Sequence, residues 1–405
     1  MHDEVAGTAV LDRKTRTPER DRQRDQRRWL PVATLGIGAL AIGTDMFVVA
    51  GILSQIARDL GVTIGAAGLT ATVSALACAT GAVLLSALLG SRPPRQTLIG
   101  SVALFGILSA LSAAAPTLPA LLATRLLGAL AASVYMPAAG AAAVAAVPAS
   151  HRGRALGVIL GGTSAATVLG APLGVLLASA LSWRAAFGLV AVLAAIAVTG
   201  LLLTGAGSGP LMRATVRERL HPMRSPAVAG VLGVTFLVMT ASYSMYTYLP
   251  LLLAPTAGPP GPGFFIGAFG TGGLAGLWWG ATTADRNGTR RVIVPAVAML
   301  TAAFAALPHL ATTVTGTLAV VIGWGIAAWG FVPAQQHHLI GLGPGPAPLL
   351  LALNSSAIHL GSAAGALLGG LVVDTAGAGR LWMPAVACCV AGLTVHEILT
   401  RKAPS

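Results

Sequence analysis

Two opposite charges sit inside apolar stretches of this chain, Asp45 and Arg125. Asp45 is the lone charged residue of residues 33–53, and Arg125 interrupts the apolar run Leu122-Ala123-Thr124-Arg125-Leu126-Leu127-Gly128. A charge at the centre of a bilayer costs roughly 2.5–3.5 kcal/mol on insertion scales, so such residues are functional candidates. At the helical rise per residue the two fall at similar depth, roughly 20 Å and 18 Å from the same side of a core about 30 Å thick. A carboxylate withdrawn from water binds a proton more tightly, and a neighbouring cation drives that proton off. Moving Arg125, or a bound molecule, relative to Asp45 would switch proton occupancy. The alternative is a static ion pair that only orients the first and fourth segments.

Other residues offer weaker chemistry. The run Ser242-Tyr243-Ser244-Met245-Tyr246-Thr247-Tyr248 either lines a cavity for an aromatic molecule or forms an interfacial aromatic belt. Tyr243, Met245, Tyr246, Asn354 and His359 are the cavity candidates, although a lone His such as His359 on an apolar helix also serves as a packing residue. Gly162, Gly170, Pro172 and Gly174 lie in a stretch of small residues. Gly170 and Gly174 form a small-xxx-small face for close helix approach, and Pro172 frees a backbone carbonyl. In the run 280–291, Gly280, Asp285, Arg286, Gly288, Arg290 and Arg291 are read as a loop whose charges pair across a gate. The cysteines and acids show no metal-ligand spacing, and no G-x-x-x-x-G-K-[ST] phosphate loop is present. Neither an enzyme nor a cofactor is expected.

These residues need a scaffold of membrane-spanning helices. The 405 residues are 55% hydrophobic and only 9% charged, with mean hydropathy +0.80, whereas soluble domains carry about 25% charged residues. Twelve apolar segments of spanning length follow one another, at residues 31–55, 64–89, 97–116, 118–147, 154–181, 185–204, 226–253, 263–284, 292–311, 314–336, 347–373 and 381–400. The net charge of +13 therefore belongs to loops and tails and does not imply a nucleic-acid partner. Basic residues crowd the N-terminal tail and alternate loops, while the remaining loops hold only Arg58, Arg184 and Arg380. The positive-inside rule then puts both termini in the cytoplasm. Residues 1–28 read as a disordered cytoplasmic tail without the apolar core of a signal peptide, and residues 205–225 as a cytoplasmic linker. Six-helix bundles at 29–204 and 226–405 result. The halves repeat a pattern, S-x-A-x-x-L-G-x-x-x-G-x-L-L, from Ser164 to Leu177 and again from Ser355 to Leu368. The fold class is an all-α polytopic membrane protein of two pseudo-symmetric bundles, an architecture of transporters.

At these residues the chain resembles the major facilitator superfamily, in particular its twelve-helix drug:proton antiporters. Asp285-Arg286-Asn287-Gly288-Thr289-Arg290-Arg291 is similar to the D-R-x-G-x-R-R loop signature. Arg125-x-x-Gly128 resembles the motif of helix four, whose Arg is implicated in proton transfer. The stretch around Gly170-Ala171-Pro172-Leu173-Gly174 resembles the antiporter motif of helix five, and residues 43–62 are similar to actinobacterial chloramphenicol and sugar-efflux permeases, many of which have Glu at the position of Asp45. The first-half loop Gly90-Ser91-Arg92-Pro93-Pro94-Arg95 departs from the pattern by lacking its Asp. The resemblance implies proton-coupled export of small amphiphilic drugs by a monomer in the bacterial inner membrane, with protons, a small-molecule substrate and lipid as partners. Export of a sugar or native metabolite, or a non-transporting receptor or scaffold, are the competing expectations.

Overall fold

The protein is seen in a computed structural model, which describes residues 18–88, 93–207, 221–253, 261–342 and 345–402. The tail up to residue 17, most of the linker and the first-half loop at Gly90-Ser91-Arg92 lie outside the described residues. Twelve long helices account for the described chain, and no strand occurs among these residues. They are α1 (Pro18–Asp59), α2 (Ile64–Leu88), α3 (Pro94–Ala113), α4 (Leu118–Ala145), α5 (Arg152–Ala165, continued by the π-helical turn Ala166–Gly170 and Ala171–Ala180) and α6 (Trp183–Thr204), then α7 (Pro226–Tyr246), α8 (Pro262–Asn287), α9 (Arg290–Leu310), α10 (Val314–Gly341), α11 (Ala347–Ala376) and α12 (Trp382–Lys402).

Three boundaries depart from the sequence reading. α1 begins at Pro18, so the Arg-rich end of the expected disordered tail is helical. α7 stops at Tyr246 instead of running on to residue 253, and a separate turn, Leu249–Leu252, follows. Pro250 explains the break, since proline has no N–H to continue the ladder. The run 280–291 is not a loop, because α8 continues to Asn287 and α9 starts at Arg290. Gly288, at φ +87°, makes the reversal and donates its N–H to the Ala284 carbonyl at 3.1 Å. A side chain at that φ would be strained.

Eleven of the helices are long and apolar enough to cross a membrane. The twelfth, α8, is diluted by glycine and tryptophan, and its glycines face α10 at backbone contact. A Cβ added at Gly276 would lie 2.8 Å from Ile326 Cα, and one at Gly280 would lie 2.7 Å from Gly330 Cα. Small residues at such crossings replace the hydrophobic effect as the source of helix association in lipid.

Helix packing repeats between the halves. In the first half α1 packs on α5 and α6, α4 on α2 and α3, and α3 on α6; in the second α7 packs on α11 and α12, α10 on α8 and α9, and α9 on α12. The principal seams between halves are α2 against α11 and α5 against α8, which exchange under the same symmetry. The α2–α11 seam runs inward as far as the Ser356 hydroxyl, which donates to the Ala79 carbonyl at 3.3 Å, and both seams carry contacts at the face opposite the termini. There Gly263 backs onto Val175, and Gly65 onto Gly370.

Gly276→Val should therefore destabilise the second half by about 1–3 kcal/mol through overpacking, read as a lowered unfolding midpoint in detergent. Gly323→Ala, where an added Cβ meets nothing within 4 Å, should leave the midpoint unchanged or raise it. Equal midpoints for the two variants would contradict the close α8–α10 crossing.

Candidate functional site

α1 and α4 bring the two embedded charges together. Arg125 donates through Nη1 to Asp45 Oδ1. Asp45 is 6% exposed and Arg125 3%, so the pair is sealed from solvent. The guanidinium carbon also lies 5.1 Å from the Phe187 ring centroid of α6, which adds about 0.5–2 kcal/mol of cation–π attraction. Arg125 Nε has no hydrogen-bond partner among the described residues, nor does the adjacent Thr44 hydroxyl. α4 is fixed at its start by Thr117, whose side chain accepts from the Ala120 N–H at 3.4 Å. The sequence reading therefore paired the right residues; it had no signal for Phe187, an unremarkable apolar residue of α6.

The small residues of α5 explain how α1 comes so near. Gly170 leaves space that Thr44 fills, since a Cβ there would sit 3.1 Å from Thr44 Cβ. A Cβ at Gly162 would lie 3.2 Å from the Gly36 carbonyl carbon. The π-helical turn Ala166–Gly170 ends just before Pro172. Proline cannot donate to the preceding turn, and a π-turn absorbs that mismatch; such turns are frequent at functional sites. The same turn contacts α8 across the seam, where a Cβ at Gly270 would meet the Thr167 carbonyl carbon at 2.9 Å. Gly162, Gly170 and Gly174 thus let α1 approach at Gly36, Thr44 and Val48, while Pro172 packs on Gly263 and Gly267 of α8.

Two residues past Asp45, the second half takes hold of α1. The Tyr246 hydroxyl of α7 donates to the Phe47 carbonyl at 3.2 Å. Phe47 meets Tyr246 edge-on at 5.9 Å between centroids and Trp329 at 5.8 Å. Tyr246 in turn contacts Tyr243, Phe269 and Trp324. Tyr246 and Met245 are buried in protein, so this run is not an interfacial belt. Phe269 and Trp324 were not singled out from sequence, because aromatic residues scattered over α8 and α10 carry no local pattern.

The other candidates lie apart. Asn354 of α11 is fully buried against α7, accepting from the Thr235 hydroxyl at 3.0 Å. His359 sits further along α11 with Nδ1 unpartnered among the described residues. The charges of the 280–291 run pair within the second half, not across the halves. Asp285 contacts His337 Nδ1 of α10 at 3.1 Å, and Arg290 is bidentate to Glu397 of α12 at 2.9 and 3.1 Å. Asp285 stays on helical backbone, which turns it toward α10; Arg286 and Arg291 are exposed. Gly280 belongs to the α8–α10 crossing. No group of three metal-ligating side chains occurs among the described residues.

If the pair is as tightly coupled as its burial implies, Arg125→Ala should destabilise the protein by about 3–5 kcal/mol, the cost of an uncompensated buried charge. The double variant Asp45→Asn/Arg125→Gln should lose clearly less than the two single changes summed, in thermal unfolding in detergent. Additive losses would mean that the two charges do not interact.

Known proteins share this plan. The family model of the Major Facilitator Superfamily matches residues 35–345. A chloramphenicol resistance protein of Streptomyces lividans is 31% identical over 387 residues, covering 93% of this chain and 98% of its own. The inner membrane transport protein YdhP of Escherichia coli K12 is 31% identical over 385 residues, covering 92% and 97%. A chloramphenicol efflux pump of Mycobacterium tuberculosis is 32% identical over 400 residues, covering 92% and 94%. Among solved structures, the nucleoside transporter NupG superposes with a TM-score of 0.68 over 91% of this chain and 99% of that one. At 12% identity that likeness concerns the fold alone.

Proposed function

The chain belongs to the major facilitator superfamily, and on that premise we propose that it exports small amphiphilic, chloramphenicol-like compounds in exchange for protons by alternating access. It is a multi-pass membrane transporter of small molecules and not an enzyme. The observation that carries the antiport reading is the sealed Asp45–Arg125 pair. In the paired state the guanidinium and the carboxylate offset each other's charge. A proton arriving on Asp45 removes the attraction and frees Arg125 from α1. The Tyr246–Phe47 hydrogen bond links that event to the second half, because Phe47 lies on the same turn of α1 as the carboxylate. One proton entering under a driving force of 100 mV contributes about 2.3 kcal/mol, enough for a roughly 50-fold substrate gradient.

Two further features fit this reading. The names of the relatives point to chloramphenicol, an aromatic compound, and the aromatic residues Phe47, Tyr243, Tyr246, Phe269 and Trp324 with Met245 offer ring-stacking partners near the pair. Exposed arginines concentrate on the face of the termini, as in Arg152, Arg154, Arg286 and Arg291; by the positive-inside rule that face is cytoplasmic. On this reading the protein works as a monomer in the bacterial cell membrane, with residues 29–204 and 226–405 rocking about the linker 205–225.

Reconstituted into liposomes, the wild type should accumulate chloramphenicol when a pH gradient is imposed, and a protonophore should abolish the accumulation. Asp45→Asn should remove the gradient-driven uptake, while Asp45→Glu, which keeps the carboxylate, should retain most of it. Undiminished uptake by Asp45→Asn would sink the proton assignment. Wild-type liposomes that ignore chloramphenicol but move a sugar would favour the metabolite reading.

A further inference from the structure

The two seams between the halves differ in chemistry. Where α5 meets α8 the contacts are apolar: Gly263 lies against Val175 and Pro172, and Gly267 against the Pro172 ring. Where α2 meets α11 a charge crosses over. Asp374, near the end of α11, accepts from the Gly65 N–H at 3.0 Å through Oδ1 and from the Thr63 hydroxyl at 2.8 Å through Oδ2.

This contact completes the start of α2. The first turn of a helix leaves N–H groups without partners and carries a partial positive charge. Thr63 caps the Ala66 N–H at 3.1 Å with the same hydroxyl that donates to Asp374. α2 has no acidic residue in its own first turn. The negative charge that complements it comes from the other half of the protein. The backbones are close enough to make the bonds obligatory in this state, since a Cβ on Gly370 would lie 3.1 Å from Gly65 Cα. Just beneath, the hydroxyl of Tyr248, which precedes the turn Leu249–Leu252, donates to the Ala366 carbonyl at 2.8 Å and holds that turn against α11 behind the seam.

We propose that Asp374 is a positioning residue of the transport cycle, a latch in which a carboxylate of the second half caps α2 of the first and holds this face shut. The inference rests on the transporter reading of the family but not on the identity of the substrate or on proton coupling. When the halves rock apart, α2 and α11 separate here, and both hydrogen bonds must break together. Apolar packing along α5 and α8 tolerates sliding, whereas two directional bonds to one carboxylate select one register. Asp374 is exposed, so water takes over its bonds on release. That exposure keeps the latch weak enough to open within every cycle.

The test is a spin-label distance across this face, in protein lacking Cys78, Cys388 and Cys389 and labelled at Thr117→Cys and Arg380→Cys. The wild type without substrate should give mainly one short distance. Asp374→Ala should add a longer one and raise the open fraction about tenfold, the order of two exposed charge-assisted hydrogen bonds. Gly65→Ala tests the same latch without touching the charge: its Cβ would lie 2.7 Å from Asp374 Cγ and from the Gly370 carbonyl, forcing the seam apart at a position where alanine suits the helix. It should open the face as Asp374→Ala does, and Asp374→Glu should restore the closed distance in part. A distance distribution for Asp374→Ala or for Gly65→Ala that superimposes on the wild type would overturn the proposal. Because no substrate is added, loss of chloramphenicol transport in a separate assay leaves this outcome unaffected.

Discussion

Removing a carboxylate and a guanidinium from water costs several kcal/mol per ion, and in this protein each charge offsets the other. While they touch, Asp45 and Arg125 offset much of the cost of burying each other. That contact fixes how far α1 stands from α4, and α6 contributes by laying Phe187 against the guanidinium. α5 contributes by omission: at Gly162 and Gly170 it carries no side chain that would hold α1 away. A buried ion pair is weak evidence for stability, since well-packed apolar residues serve as well or better. Its retention is better understood as a requirement of function, because a pair that is expensive to separate couples any event that separates it to the rest of the helix.

The same economy of side chains governs the second half. In lipid, helices gain little from burying apolar surface against each other, and close van der Waals approach takes over. α8 and α10 nearly touch at Gly276 and Gly280, which is why α8 looks too hydrophilic to span when judged by composition. Its glycines serve contact with protein, not with lipid. The seams between halves use the same device at Gly263, Gly267 and Gly270. Close backbone approach without interlocking side chains suits surfaces that must part and meet again.

Charge, seam and aromatic core converge on a short stretch of α1. Asp45 faces Arg125, Thr44 fills the space left by Gly170, and Phe47 receives the Tyr246 hydroxyl from the other half. Residues of both halves thus meet α1 within one helical turn of Asp45, α5 from the first and Tyr246 of α7 from the second.

The twelve apolar segments, the internal repeat and the depth of the Asp45–Arg125 pair were legible in the sequence, because each rests on a local quantity: hydropathy over a span, spacing along one helix, or the rarity of charge in lipid. The family resemblance was legible for the same reason, in short contiguous motifs. What lay beyond it depended on packing between distant segments. Nothing near Phe187 marks it as a partner of Arg125, and nothing near Asp374 marks it as the cap of a helix that begins at Ile64. Asp285 and Arg290 looked like gate residues by motif, yet their partners are His337 and Glu397 of the same half, because α8 keeps its helical course to Asn287 and turns only at Gly288. The sequence by itself put two opposite charges at similar depth in a bundle of twelve helices, where the bilayer penalises each of them alone. Tertiary structure decided how the two halves are joined, because hydrogen bonds such as those of Asp374 to Thr63 and Gly65 join residues whose separation along the chain erases any local signal.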